Sequence, residues 1–158
     1  MRDDSAVTVD FRTSDAAASP AVDLVAAMWE EVKAMYPRIG DEDGPSATPA
    51  DFSPPGGTFV LGFDGDRPVA GGGVKRLEDG AAEIKRMYVV PEARGGGLGR
   101  ALLGALEDAA RELGYSVVRP DTGRFQASAL RMYQEAGYRP IADYNGNPYA
   151  SFWGEKRL

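Results

Sequence analysis

Residues 94–100 read Arg-Gly-Gly-Gly-Leu-Gly-Arg, and this run constrains the fold more than any other segment. Before it lies Ala82–Val90, a segment of strand character. After it lies Leu98–Leu113, where Leu98, Ala101, Leu102, Ala105, Leu106, Ala109 and Leu113 recur at three- and four-residue steps, the spacing of one helix face. A strand, a glycine turn and an amphipathic helix in that order bring the first N–H groups of a helix to the end of a strand. Those groups lack intrahelical acceptors and carry partial positive charge, so they hold anions. Glycine lets an anion approach closely because no β-carbon intervenes. A plain turn needs one or two glycines, whereas four of the five residues 95–99 are glycine. The local charge agrees: residues 83–100 carry four basic side chains (Lys85, Arg86, Arg94, Arg100) against two acidic ones (Glu83, Glu92), in a chain of net charge −6. No Gly-Lys pair occurs, which excludes a P-loop. A dinucleotide fingerprint counted from Gly97 fails at Leu102, where Gly or Ala is required.

The 158 residues, 43% of them apolar, suffice for one domain with its own core, and no repeat or boundary divides them. The chain contains no Cys and no His. That excludes disulfides, thiolate nucleophiles, Ser–His–Asp triads and the common zinc sites, and no metal is expected. Proton transfers in such a chain fall to carboxylates, Tyr, Lys, water or substrate. With a pI near 4.7, a nucleic-acid or anionic-membrane partner is not expected. No window approaches the about 20 apolar residues of a membrane span. The N-terminal residues lack the apolar run of a signal peptide. These features predict a soluble, cytoplasmic domain.

Along the chain, residues 1–5 are polar and predicted to fray, and Ala6–Phe11 reads as a first strand. A helix follows with Ser19 as N-cap and Pro20 at its first position, burying Val22, Val25, Met28, Trp29, Val32 and Met35/Tyr36, and ending at Pro37. Residues 37–57 hold five prolines and the acidic run Asp41-Glu42-Asp43; they read either as a mobile loop or as one facing a substrate, the acids then favouring a cationic one. Thr58–Phe63, Pro68–Leu77 and Ala82–Val90 form a meander through turns at Asp64-Gly65-Asp66 and Asp79-Gly80. Gly71-Gly72-Gly73 inside it marks a bulge or a close backbone approach. After the long helix and its C-cap Gly114 come a strand Tyr115–Arg119 and a helix Ala127–Ala136 closed by Gly137. Tyr138–Tyr144 and Tyr149–Lys156 form a last antiparallel pair around Asn145-Gly146-Asn147-Pro148. Tyr144, Tyr149, Phe152 and Trp153 read as core or dimer contacts, with a substrate-pocket role as the alternative. The order β-α-βββ-α-β-α-ββ is a mixed α/β domain.

At this point the residues resemble a known family. Arg94-x-x-Gly97-x-Gly99 is similar to the acetyl-CoA signature, Gln/Arg-x-x-Gly-x-Gly/Ala, of the GNAT superfamily of N-acetyltransferases. Glu83-Ile-Lys-Arg-Met-Tyr-Val-Val-Pro-Glu resembles that family's fourth strand, and Ala129-Leu-Arg-Met-Tyr133-Gln-Glu-Ala-Gly-Tyr138 its late helix and following strand. The likeness spans about residues 58–157. It implies a central, mostly antiparallel sheet whose fourth and fifth strands splay apart, flanked by helices. It also implies acetyl-CoA as co-substrate and an amine as acceptor, with a homodimer plausible. Met87, Tyr88 and Val89 would pair with the pantetheine arm, and a backbone N–H among them would hold the developing oxyanion. Arg94 belongs to the signature, and Gly95, Gly96, Gly97, Leu98, Gly99 and Arg100 would offer N–H groups to the pyrophosphate. Gln126 stands where many members carry an Asn that touches pantetheine.

The resemblance makes Glu83 the candidate general base, acting through water or with a pKa raised by burial, because an unperturbed carboxylate near pKa ~4.3 matches an ammonium poorly. Strand periodicity places Glu83, Lys85, Met87 and Val89 on one face unless a bulge intervenes. Asp121 is the competing carboxylate. Tyr133 stands where the family carries a general acid, and a phenol is protonated at neutral pH. Without Cys, direct transfer in a ternary complex is expected rather than a covalent acetyl-enzyme. Two other readings of the glycine run are a non-catalytic acyl-CoA-binding domain and a nucleotide-phosphate transferase.

Overall fold

The computed structural model describes residues 8–40 and 47–158. Its strands are β1 (Val9–Ser14), β2 (Thr58–Asp64), β3 (Arg67–Arg76), β4 (Ala82–Val89), β5 (Val117–Arg119), β6 (Asp121–Gly123), β7 (Arg139–Pro140) and β8 (Ala150–Arg157). The helices are α1 (Ala21–Met35), α2 (Leu98–Glu112) and α3 (Ala127–Glu135). β1 to β4 lie side by side in sequence order, all antiparallel; short turns join β2 to β3 and β3 to β4, whereas α1 and a long connection separate β1 from β2. β5 joins β4 in parallel, because α2 makes the crossover between them, and β8 returns antiparallel between β5 and β6. The mixed α/β class and the mostly antiparallel sheet expected from the sequence are the observed ones.

Helices cover both faces. A β-carbon at Gly71 would meet Leu24 of α1, whereas one at its neighbour Gly72 would meet Leu106 of α2; alternate residues of a strand face opposite ways. The larger core lies under α2 and α3, where Leu102, Leu103, Leu106 and Ala110 pack on Val60, Val74, Ile84 and Val118. The smaller one lies under α1 and contains Leu24, Phe52, Phe59 and Leu61. Glu107 is buried on the inner face of α2, where Tyr138 Oη (2.8 Å) and Lys156 Nζ (3.0 Å) donate to it. No helix among the described residues is long and apolar enough to cross a membrane.

Several sequence expectations shift. The first strand, Val9–Ser14, runs three residues beyond the expected end at Phe11, because its register against β2 continues to Ser14↔Phe59; Ala6 and Val7 lie outside the described residues. Pro20, not Ser19, caps α1: the first turn closes by Leu24 N donating to Pro20 O. Only Ala21 and Leu24 of α1 are buried and Val22 is exposed; Met28, Trp29, Val32 and Met35 border a cleft instead of a core, whereas Tyr36, at the C-cap, is buried as expected and also lines that cleft. On α2, Ala101 is exposed. The described part of the proline-rich connection is neither free nor cleft-lining throughout. Pro49–Phe52 forms a single 3-10 turn with a Thr48/Asp51 capping box, and Phe52 is sunk 99% into the core over Gly73. The acidic run Asp41-Glu42-Asp43 and residues 1–5 lie outside the described residues. The strand expected over Tyr115–Arg119 starts at Val117, and β6 follows it unforeseen. In the last antiparallel pair only Arg139 and Pro140 join β8; residues 141–149 leave the sheet and cross the cleft.

Candidate active site

The sheet parts at its centre. β4 and β5 pair only at Ala82↔Val118 and Glu83↔Arg119. Pro120 then follows, with no N–H to continue the ladder. From Ile84 to Val89 the edge of β4 turned away from β3 therefore has no strand partner, and it borders a cleft of about 1590 Å³. The opposite wall is α1; the floor beyond the parting comes from β6, α3 and residues 144–149.

β4 also changes face halfway. Arg86 adopts φ +60, a left-handed conformation rare for a side chain of this size, and the β3–β4 register slips between Gly71 and Gly73. The bulge breaks the expected alternation. Glu83 and Lys85 stay on the α1 side with Tyr88, whereas Met87 and Val89 turn to the α2–α3 core. Arg86 is held there by stacking over Phe52 (4.9 Å) and by donating to Ala47 O.

At the far end, the glycine run behaves as its composition suggests. Gly95 and Gly97 adopt φ +89 and +81, and Gly97 caps α2. The first helical bond is Ala101 N to Gly97 O, so the consecutive N–H groups of residues 95–100 have no backbone acceptor among the described residues. A β-carbon at Gly96 would meet no protein atom, so protein packing does not require glycine there, whereas close approach of an anion would. Gly95, Gly97, Leu98 and Gly99 line the cleft; Gly96 and Arg100 do not. Arg94 has another role. Its Nε donates to Val89 O (2.8 Å), its guanidinium grips Glu31 of α1 at 2.8 Å, and it lies over the Tyr88 ring at 5.4 Å. That ion pair holds the Glu31 carboxyl below the usual carboxylate range. Arg94 thus fastens the loop to β4 and α1, and its guanidinium is already engaged.

Between these ends the cleft holds a polar network. Glu83 is only 2% exposed: Asn145 Nδ2 donates to it (3.2 Å), Lys75 and Lys85 stand at ion-pair distance (3.9 Å each), and the nearby Tyr144 hydroxyl donates to Arg119 O (3.4 Å). Asp121, on β6, accepts from Asn145 Nδ2 (2.6 Å), Asn147 Nδ2 (3.2 Å) and Lys85 Nζ (3.3 Å). One amide group thus bridges both candidate carboxylates, and Trp153 Nε1 donates to the same side chain's Oδ1 (2.9 Å) to fix its orientation. Trp153 is therefore a prop for the loop, Phe152 is core, and Tyr144 and Tyr149 line the cleft. Asn145 and Asn147 were not foreseen. In the sequence Asn-Gly-Asn-Pro reads as turn chemistry, and only the tertiary fold carries that turn over β4.

Tyr133, on α3, is buried, with its hydroxyl 3.4 Å from Met87 Sδ, and it lines the cleft. Burial, with a smaller contribution from the Asp121 charge, pushes its pKa well above that of an ordinary phenol. It is held as the neutral, proton-bearing form. Gln126 caps α3, and its Oε1 accepts from Gly123 N (2.9 Å) and Tyr36 Oη (3.4 Å), so its carbonyl end is engaged within the cleft wall. Among the described residues no cluster of carboxylates suits a metal ion.

A parted sheet with a free strand edge, closed at one end by unpaired helix N–H groups, is a scaffold for an extended ligand that ends in phosphate. The sequence matches the acetyltransferase (GNAT) family over residues 24–138, and the chain belongs to that family. Among curated relatives, it is 41% identical over 78 residues to the IAA acetyltransferase of Azospirillum brasilense, covering 48% of this chain and 51% of that protein. It is 29% identical over 128 residues to human N-acetyltransferase 8B, covering 75% of this chain and 56% of that one. The chain spans about half the length of these relatives. A GNAT-family acetyltransferase from Staphylococcus aureus Mu50 superposes with a TM-score of 0.79 at 17% identity, covering 96% and 99% of the two chains. An Elizabethkingia anophelis family member, solved with acetyl-CoA bound, gives 0.67 at 15% identity over 95% and 98%. These two likenesses show the fold.

Proposed function

We propose that this chain transfers the acetyl group of acetyl-CoA to a primary amine of a small molecule or peptide by direct attack within a ternary complex. The observation that carries the reading is the run of unpaired N–H groups at residues 95–100, of which Gly95, Gly97, Leu98 and Gly99 line the same cleft as the unpartnered β4 edge, Tyr133 and two carboxylates. The glycine run fits a pyrophosphate: the donors are backbone, and no β-carbon obstructs them at Gly96. The free edge of β4 at Met87, Tyr88 and Val89 fits an amide-bearing pantetheine arm, as an added strand would. Acetyl-CoA supplies an activated thioester; the chain supplies alignment and proton transfer.

In this reading the N–H groups of residues 95–100 carry the pyrophosphate, and Arg94 holds their loop in place rather than gripping the ligand. A backbone N–H near the Arg86 bulge stabilises the oxyanion that develops at the carbonyl. Glu83, buried and crowded by Lys75, Lys85 and Asn145, does not touch the amine; it receives the amine proton through an ordered water. Tyr133, kept protonated by burial, gives its proton to the departing thiolate.

The test is binding and turnover on the intact chain. Acetyl-CoA is expected to raise the melting temperature where ATP and NAD do not, and a panel of primary amines to elicit release of free CoA. Stabilisation by ATP without acetyl-CoA would overturn the reading. Binding of acetyl-CoA with no release on any amine would reduce the chain to an acyl-CoA-binding domain.

A further inference from the structure

The acceptor end of the cleft has an uneven charge inventory. Five cationic side chains line the cleft, and four are already matched by carboxylates. Lys85 meets Asp121 and Glu83, Lys75 meets Glu83, Arg94 meets Glu31, and Arg119 meets Asp79 (2.7 Å) and Glu155 (2.9 Å). The fifth, Arg86, is tied to Ala47 O and stacked on Phe52, with its charge facing Asp51. Arg86 is thus the one cation lining the cleft, among the described residues, with no carboxylate at ion-pair distance; its Nε is buried without a partner, and its guanidinium is enclosed by the Phe52 ring and the Ala47 carbonyl rather than open to the acceptor.

The anionic side differs. Glu83 is only 2% exposed and crowded by Lys75, Lys85 and Asn145, whereas Asp121 is more open: all three donors that reach it sit on Oδ2, and Oδ1 accepts no hydrogen bond among the described residues. The Asp121 side chain is 11% exposed, and that exposure lies in the cleft. Two residues further along β6, past an irregularity between Thr122 and Gly123, the Tyr36 hydroxyl lies against the Gly123 backbone, and Asp121, Gly123 and Tyr36 all line the cleft. Tyr36 in turn packs on Phe125 (5.1 Å) and Tyr149 (5.7 Å), and Trp29 and Val32 continue its face of α1 at helical steps. One free carboxylate oxygen therefore stands beside an aromatic and apolar wall.

Building on the acetyl-transfer reading, we propose that the acceptor is an aromatic or apolar primary amine without a neighbouring carboxylate, and that Asp121 Oδ1 is the seat of its ammonium. The seat selects the charged amine and loses its hold on the neutral amide, which favours product release. Asp121 is here a specificity residue; the amine proton still leaves through water to Glu83.

Phenethylamine and phenylalanine are the discriminating probes, since they differ only in the carboxylate. CoA release is followed with each, on the wild type and Asp121→Asn, while acetyl-CoA affinity is measured by calorimetry. Phenethylamine is expected to exceed phenylalanine in kcat/KM by at least about tenfold, because each cation lining the cleft is either ion-paired or, for Arg86, enclosed against Phe52. In D121N the KM for phenethylamine is expected to rise about tenfold to a hundredfold, the value of a hydrogen bond to a charged group. The same variant should keep kcat within about threefold and acetyl-CoA affinity unchanged. Equal or better use of phenylalanine would overturn the proposal, as would an unchanged KM in D121N. Loss of kcat at constant KM would do the same, making Asp121 the base instead. Acetyl-CoA binding with neither amine acetylated would refute the acceptor class alone, whereas failure to bind acetyl-CoA would remove the reading beneath it. The wild-type comparison of the two amines stands even if D121N does not fold.

Discussion

Gly73→Ala tests the packing that sets the site's geometry. A β-carbon at Gly73 would lie 2.5 Å from Phe52 Cε1, and closer to Cδ1, whereas carbon atoms rest at about 3.5–4.0 Å. The ring must retreat by about 1 Å or the strand must bend. Neither is easy, since Phe52 is 1% exposed, packs edge-on against Phe59 at 5.9 Å and carries Arg86 on its face. Over-packing of this kind costs about 1–3 kcal/mol, and replacing a strand glycine returns about 0.5–1. The expected net loss is about 1–2 kcal/mol, a fall in melting temperature of about 2–8 °C for a chain of this size. Urea unfolding followed by tryptophan fluorescence should show a lower midpoint at unchanged slope. In a Phe52→Leu background the same substitution should cost at least about 0.5 kcal/mol less, because the colliding ring is gone. A neutral Gly73→Ala, or strict additivity in the double variant, would refute the reasoning. Because Arg86 rests on that ring, acetyl transfer should fall further than stability alone accounts for.

Other expectations follow from single contacts. Tyr133→Phe removes a hydroxyl whose partner is a thioether, so it should cost less than about 1 kcal/mol in stability yet lower kcat about 100-fold or more, with acetyl-CoA affinity unchanged. Because burial raises the Tyr133 pKa, the folded protein keeps this proton as pH rises through 10 while the unfolded chain loses it. The tyrosine's contribution to stability is thus full below pH ~10 and declines above it, and no alkaline loss of turnover near pH 10 should trace to Tyr133. Asp51 behaves in the opposite sense: its pKa is lowered by the Thr48 backbone N–H, so its capping contribution exists above the unfolded pKa and fades as pH falls through the folded one. Asp51→Ala should cost up to about 1 kcal/mol at pH 7 and nothing at pH 2, by urea midpoints. Glu31→Gln should weaken acetyl-CoA binding about two- to tenfold by releasing Arg94 and the glycine loop, as read by calorimetry.

What was legible in the sequence was local. The α2 face, the meander and the glycine run each carry their signal within one window, and all three stand where the pattern put them. Tertiary effects hid the rest. β6 is three residues, Asp-Thr-Gly, that read as a turn until β8 pairs with them. The Arg86 bulge has no glycine or asparagine to announce a left-handed residue; it follows from the Gly71–Gly73 register slip and the Phe52 ring. The apolar face of α1 looked like a core face because a cleft wall and a core wall share one periodicity. Glu83 and Tyr133 became candidates through the family resemblance, whereas Asn145, which bridges Glu83 and Asp121, carries no such local signal.

The parted sheet has one more consequence. An unpaired strand edge is normally a hazard, since any extended chain can add to it and seed aggregation. Here the open edge of β4 runs along a cleft bounded by α1 and by residues 144–149, which narrows the approach of a second folded copy. What reaches it best is thin, flexible and rich in amide groups. The gap therefore works as a molecular sieve, favouring a slender thread over a β-sheet.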